Sequence, residues 1–394
     1  MNQRKVFSVY PQIGEEEKIA VMEVMETGMV TQLEQTRLFE EEINKYLGCH
    51  HTTALNSGTS ALIAALLAHD VGEGDMVAVP TYTYLATANA VRAVGANPVF
   101  MDCNKDTFNV DVPLAGDKLI CSPSVFGWQL EKCQEYLDAV KRSLKAIIIV
   151  DVAGMPCDLD DWNDYCEDHD IILIEDACEA FGAQYKKKKV GNHDHTVVFS
   201  FNITKPIHTI EGGAVCTNDI EIDERIKLIR RQGQDLDLVV RTGDYHHPAF
   251  GLNFRTTDIQ SAIGRVQLRH IDEFMKYRNE VAEAYKNMIG ECSEDNIWWQ
   301  EVPMYVTRHP YFMCLMVCKT ETLRDKILRH LRSKGIESRV CWKPCHLQPI
   351  YEDTPKTHWD STWLYLHSLT LPTGNVIPKD VVDYVADSVI EALR

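Results

Sequence analysis

The stretch Ile171-Ile172-Leu173-Ile174-Glu175-Asp176-Ala177 decides the fold class. Its first four residues are Ile or Leu with no polar alternation. Such a run fits a strand buried on both faces, as in a mainly parallel sheet covered by helices. It stops at two carboxylates, on the edge where α/β sheets place their ligands. Upstream, Ala146–Val150 repeats the pattern, and Thr53–Leu55, Met76–Val79 and Pro98–Met101 read as further short strands. Between them Ser57 to His69 and Leu85 to Val94 read as helices, so the chain alternates strand and helix with right-handed crossovers expected. The spacing changes after residue 216. Asn218 to Gly233 reads as a helix, Thr257 to Met288 as one long helix, Tyr311–Val317 as a strand, Leu323 to Ser333 as a helix ended by Gly335, and Pro378 to Leu393 as a last helix. The expected organisation is a large α/β unit over 1–250 and a smaller α+β unit over 251–394, joined by the long helix. Glu131 to Ser143 also reads as helical, while Val112 to Trp128 carries no readable period.

Composition narrows the function. The 394 residues are 45% hydrophobic, enough for a substantial core. Lys plus Arg is 40 and Asp plus Glu is 58, so the formal charge is 40 − 58 = −18. That balance opposes non-specific binding to nucleic acid or to anionic membranes. No apolar run approaches a membrane span, and Met1 to Tyr10 lacks a secretory segment. The 13 cysteines are scattered, which is expected of reduced thiols in a cytoplasmic protein. Cys341, Cys345 and His346 cluster without a second pair at zinc spacing, so no metal is expected.

Three motifs carry chemistry. Asn56-Ser57-Gly58-Thr59-Ser60-Ala61 leaves a strand and opens a helix. A helix start has unpaired N–H groups and a positive dipole end, which suits a phosphate, although a plain Ser cap looks the same. Glu175-Asp176 ends a strand, and a buried carboxylate there needs a cationic partner or a capping role. Phe199-Ser200-Phe201-Asn202-Ile203-Thr204-Lys205 is followed by Glu211-Gly212-Gly213-Ala214-Val215. A lysine in such a setting forms an imine with an aldehyde when its surroundings favour the free amine. A phosphate cradle, a carboxylate for a ring nitrogen and a lysine for an aldehyde, in that order, are what pyridoxal phosphate requires.

At these residues the chain resembles the DegT/DnrJ/EryC1/StrS family of sugar aminotransferases, with the fold of type I pyridoxal-phosphate-dependent transferases. The likeness continues through Phe39 to Ala65, Val79 to Ala90, Gly95 to Asp111, Glu175 to Gly182, Ser200 to Val215 and Gly251 to Leu268. The resemblance implies Thr59 and Ser60, with Gly58, at the cofactor phosphate and Tyr84 stacked on the pyridine ring. It implies Asp176 on the ring nitrogen, Glu179 near the ring hydroxyl, Ser200 and Asn202 beside phosphate and lysine, and Lys205 as the Schiff-base residue. Asn253 matches a residue that reaches the neighbouring subunit's cofactor phosphate, which implies a homodimer with shared sites. Glu179 stands where the family often has Gln, Asn202 where it often has His or Tyr, and Asp151 and Cys341 where His is frequent. Lys205 sets the chain apart from the family branch that has His there and dehydrates. Gly335 to Arg339 and Trp342-Lys343-Pro344-Cys345-His346-Leu347-Gln348-Pro349 resemble 4-aminotransferases of the perosamine and bacillosamine type. That likeness implies L-glutamate as donor, a nucleotide-linked 4-keto-6-deoxy sugar as acceptor, and Trp342, Lys343 and His346 as substrate contacts. A 3-keto sugar or aminocyclitol precursor, or a non-catalytic sensor of the same fold, remain alternatives.

Overall fold

Strands made of unbroken apolar runs have to be covered on both faces, and this requirement builds the larger sheet. The computed structural model describes residues 5–112, 119–121, 144–293, 295–351 and 360–394. Eight strands form the sheet: β1 (His51–Leu55), β2 (Met76–Pro80), β3 (Asn97–Met101), β4 (Leu119–Cys121), β5 (Leu144–Val150), β6 (Ile172–Asp176), β7 (Thr196–Ser200) and β8 (Gly213–Thr217). Their order is β1-β8-β7-β6-β5-β2-β3-β4. The β7–β6, β6–β5, β5–β2 and β2–β3 pairings are parallel, while β8 runs antiparallel to both its neighbours and β4 antiparallel to β3. The C-terminal ends of β1, β2, β5, β6 and β7 therefore lie on one edge, with Asp176 in register with Val150 and Val198. Helices α1 (Glu15–Thr27), α2 (Glu34–Leu47), α3 (Gly58–Ala68), α4 (Ala86–Ala93), α5 (Leu159–His169) and α6 (Ile220–Arg230) belong to this unit. The apolar cores lie on the two faces of the sheet, one with Leu62, Leu66, Ile148 and Ile174, the other with Ile147, Ile149, Leu173 and Trp162.

The expected long helix over 257–288 is two helices, α7 (Asp258–Arg269) and α8 (Ile271–Gly290), broken at His270, whose φ of −99° and ψ of 1° lie outside the helical basin. The halves have different partners. The first packs on α1 and α2, and the second on the last helix, so a straight rod would serve neither. The expected strand 311–317 begins only at Cys314, because Tyr311 has φ 43° and turns the chain. The helix expected over 218–233 spans Ile220–Arg230; Gln232 and Gly233 at φ 59° and 74° end it. Of the stretch without a readable period, Leu119–Cys121 is β4; the helix expected over 131–143 lies outside the described residues.

The smaller unit is a four-stranded sheet of β9 (Ile297–Trp299), β10 (Cys314–Cys318), β11 (Arg339–Val340) and β12 (Ser368–Leu371), in the order β9-β10-β12-β11. It is packed by α8, α9 (Glu321–Ser333) and α10 (Lys379–Leu393). The start of the chain joins this unit rather than the first one. Val9–Tyr10 pairs in parallel with Thr373–Gly374, and Val6 is buried in the core formed by Tyr285, Met316 and Val385. A separate cluster joins the units, with Tyr82, Val150 and Ala153 on one side and Leu315, Val317 and Cys341 on the other.

Candidate functional site

The N-terminal end of α3 is built for close approach. Ser57 caps the helix, accepting the Ser60 N–H at 3.1 Å, and its hydroxyl bonds to Ser60 Oγ at 2.9 Å. A methyl group on Gly58 would lie 2.9 Å from Ser200 Cβ and 3.0 Å from Cys178 Sγ, so only glycine lets α3 meet the ends of β6 and β7. Gly213 has a similar reason, since a Cβ there would lie 2.4 Å from the Ser57 carbonyl oxygen. Thr59 is exposed and lines a cavity of about 460 Å3 with Tyr84, Asn89, Trp342, Lys343 and Gln348. Ser60 is buried and engaged by Ser57.

Asp176 is buried at the end of β6. Its Oδ2 accepts the Thr87 hydroxyl at 2.8 Å and its Oδ1 the Cys178 N–H at 3.2 Å. Glu179 follows one turn later, its Oε2 accepting the Ala153 N–H at 2.8 Å and its Oε1 lying 3.7 Å from Lys205 Nζ. The Lys205 ammonium lies 4.0 Å from the centre of the Phe312 ring, which the smaller unit contributes. Phe312 is held in turn by its own N–H, which donates to the Ala153 carbonyl at 3.0 Å. The Cys178 thiol feels the charges of Asp176, Lys205 and Glu179 together, and burial pushes it well above the usual thiol range. The start of α3, Asp176, Glu179 and Lys205 thus converge around one cysteine.

Asn202 has a local task. Its Nδ2 donates to Glu211 at 2.8 Å, and its Oδ1 accepts the Thr204 N–H at 3.1 Å and the Thr204 hydroxyl at 2.9 Å. Its carbonyl accepts the Lys205 N–H at 2.9 Å, and Ser200 Oγ accepts the Asn202 N–H at 3.4 Å. Residues 200–205 are therefore a closed turn with Asn202 at its centre. Asn253 is exposed, and its backbone carbonyl accepts Asn56 Nδ2 at 3.4 Å beside the start of the cradle.

The ring of Tyr84 is 62% exposed and lies 5.4 Å from that of Trp342 at 60°. Trp342 and Lys343 line the same cavity. His346 does not join them. It is fully buried, its Nδ1 2.7 Å from Thr81 Oγ1 and its Nε2 3.0 Å from Thr362 Oγ1. Nδ1 is engaged by Thr81, just after β2, and Nε2 by Thr362 in the helix over Asp360–His367, so the buried ring does not line the cavity that Trp342 and Lys343 share, where it was expected. Among the described residues, no three His, Cys, Asp or Glu side chains are grouped to hold a metal ion, and no helix is long and apolar enough to cross a membrane.

Four contributors escape a reading of the sequence: Thr87, Ala153, Cys178 and Phe312. Thr87 had a usable signal, three residues beyond Tyr84 in a first helical turn on the ligand edge. Ala153, at φ 61°, precedes Gly154 in a turn that nothing in a single sequence marks as strained. Phe312 is distant in the chain and carries no local signal.

Burial raises the Glu179 carboxyl from 4.5 to about 6, although Lys205 and the Ala153 N–H pull the other way. Between those values the folded protein holds a proton that the unfolded chain has released, so this group makes stability fall as pH rises from about 4.5 to 6. Glu179→Gln is expected to flatten that part of the profile. Denaturant titrations at both ends of the window test it, and a slope equal to that of the wild type would refute the assignment.

The sequence pattern of the DegT/DnrJ/EryC1/StrS aminotransferase family matches residues 11–390. The chain is 31% identical over 389 residues to GDP-perosamine synthase of Escherichia coli O157:H7, covering 98% of each. It is 34% identical over 344 residues to GDP-perosamine synthase of Caulobacter vibrioides, covering 86% of this chain and 85% of that one. Among solved structures it is similar to PseC of Helicobacter pylori, an aminotransferase involved in pseudaminic acid biosynthesis, with a TM-score of 0.84, 27% identity and 99% of each chain covered.

Proposed function

The chain belongs to the DegT/DnrJ/EryC1/StrS aminotransferase family and is a pyridoxal-phosphate-dependent sugar aminotransferase; from that premise we propose that it moves an amino group from L-glutamate to the C4 ketone of a nucleotide-linked 4-keto-6-deoxy sugar. The GDP-perosamine synthases at 31% and 34% identity support a 4-amino sugar as product. The observation that carries the reading is the convergence of Lys205, Glu179 and Asp176 around Cys178, with Thr87 linking Asp176 to the turn that carries Tyr84.

The residues fit the cofactor. The absent Cβ of Gly58 keeps the start of α3 close against Ser200, where Thr59, Ser200 and the helix N-terminus suit a phosphate. Asp176 is a buried carboxylate suited to a protonated ring nitrogen, oriented by Thr87. Tyr84 is free to lie against the ring, and Glu179 stands next to Lys205. When bound, pyridoxal phosphate supplies an aldehyde for Lys205 and an electron sink for the α-carbon of the donor. The chain's own work is narrower. Lys205 Nζ takes the proton from the donor's α-carbon, general acid–base work by an amine poised within the site. Glu179, held by the Ala153 N–H, keeps that amine in place, and Phe312 excludes water above it. Lys343 stands at the mouth for the diphosphate, while Trp342 offers a flat face to the sugar.

In this reading Trp342→Ala raises KM for the nucleotide sugar at least about tenfold, the loss of one well-packed aromatic contact, and changes the glutamate half-reaction far less. Steady-state and half-reaction rates on UDP-, GDP- and dTDP-linked 4-keto sugars measure both. Inactivity on the whole panel with an intact glutamate half-reaction would instead point to a 3-keto sugar or an aminocyclitol precursor.

The same reading takes the enzyme as a homodimer. Asn253 is exposed beside its own cradle, and α1 presents Ile19, Met22 and Met25 to solvent, followed by Met29, an apolar stripe that suits a two-fold contact. Light scattering is expected to give twice the 44.9 kDa chain mass. A monomer that still turned over would remove Asn253 from the site.

A further inference from the structure

On the face of β6 opposite Asp176, three buried groups meet that the proposed chemistry does not use. Glu175 and Asp151 are fully buried, and His195 is almost so. Glu175 Oε2 lies 2.8 Å from His195 Nε2, and His195 Nδ1 lies 3.0 Å from Asn163 Oδ1. The Asn163 amide is oriented by its Nδ2, which donates to the Leu159 carbonyl at 2.6 Å. Its oxygen therefore faces the imidazole, and His195 Nδ1 must carry the hydrogen. Either His195 Nε2 accepts a proton held by Glu175, or the imidazole is a cation beside a carboxylate. In both cases the pair shares one proton and has no net charge; burial lowers the imidazole and raises the carboxyl, which favours the first form.

The second carboxyl repeats the logic. Asp151 Oδ1 accepts the Cys157 N–H at 3.0 Å, and the Asp151 and Glu175 side chains face each other. Asp151 Oδ2 and Glu175 Oε1 are the oxygens that receive no N–H or O–H donor. Two buried carboxyl oxygens that meet without a donor need a proton between them. Burial and the facing Glu175 push Asp151 well above the usual carboxyl range, so Asp151 is the group that supplies it.

We infer that Asp151, Glu175 and His195 form a proton-sharing chain without net charge, a set of positioning residues that keeps two extra negative charges away from Asp176. The inference rests on the reading of Asp176 as the ring-nitrogen partner. Asp176 follows Glu175 in β6, and its carbonyl accepts the Asp151 N–H at 3.2 Å, so any charge on this chain lies at the foot of the site. A carboxylate pair ionised there would raise the proton affinity of Asp176 and of whatever it faces. The other groups around the chain are Cys157, whose thiol donates to the Val150 carbonyl at 3.4 Å, His193, stacked on His195 with ring centres 5.7 Å apart, and Asp194 and Lys188, whose charges reach His195.

Two measurements test the chain, the first without cofactor. Infrared spectra of the cofactor-free protein at pH 8 are expected to show a protonated-carboxyl band that Asp151→Asn weakens. In the Asn variant the amide N–H replaces the shared proton, so the fold is kept. The second follows the visible band of the pyridoxal-phosphate-loaded protein as pH is raised. His195→Gln removes the imidazole that shares the Glu175 proton and cannot carry a positive charge, so a Glu175 that ionises in this variant stands uncompensated beside Asp176. The midpoint of the band is expected to rise by roughly half a pH unit or more, while Asp151→Asn moves it less. The inference is overturned if the wild-type infrared band is absent, or if His195→Gln leaves the midpoint where the wild type has it. Failure to load cofactor would count against the cofactor reading, and the infrared result would still decide the chain.

Discussion

Lys205→Ala is expected to lower turnover at least about a thousandfold, because one substitution removes both the covalent anchor and the base. The fold should tolerate it. Lys205 is held by its backbone N–H to Asn202, by Glu179 at 3.7 Å and by the Phe312 ring, and alanine leaves the first of these intact. Glu179 then stands buried without its nearest cation, so its carboxyl moves further above 6 and is neutral over more of the pH range. The variant should still take up pyridoxal phosphate, through Thr59, Ser200 and Asp176, without covalent attachment. Borohydride treatment followed by peptide mapping measures this directly. The wild type should carry the cofactor on Lys205 and the variant should carry none. A wild-type protein with no borohydride-trapped cofactor at Lys205 would sink the assignment.

Asp176→Asn is the second large effect. Asparagine fills the same space, and its oxygen can still accept the Thr87 hydroxyl or the Cys178 N–H, so the end of β6 is preserved. What is lost is charge. Removing one partner of a buried ionic contact typically costs about 3–5 kcal/mol, which at 1.36 kcal/mol per decade is roughly two to four decades in kcat/KM. Cofactor retention on dialysis should fall in parallel. Half-reaction rates with glutamate separate this from loss of fold, and a variant within about tenfold of wild type would mean that Asp176 does not meet the ring nitrogen.

The fold was legible wherever burial is two-sided. Ala146–Val150 and Ile171–Ile174 announce central strands because no polar alternation interrupts them, and β5 and β6 lie there. Legibility failed where a local pattern serves two masters. Residues 257–288 keep a helical period throughout, yet α7 and α8 answer to different units and part at His270. The candidate site divides in the same way. Gly58, Asp176 and Lys205 sit in motifs whose spacing has a chemical meaning, and the chain brings them together around Cys178. Trp342, Lys343 and His346 look alike as sequence neighbours, but a short turn over Cys345–Leu347 sends His346 inward to Thr81 and Thr362. One residue of rotation in a turn is invisible to composition.

Phe312 covers the amine of Lys205 from the smaller unit. On a ribosome it is made roughly 100 residues after that lysine, about 5–20 s later at ordinary elongation rates. The roof over the amine is thus made well after the amine itself, and the nascent lysine stays open to aldehydes from the cell throughout that interval.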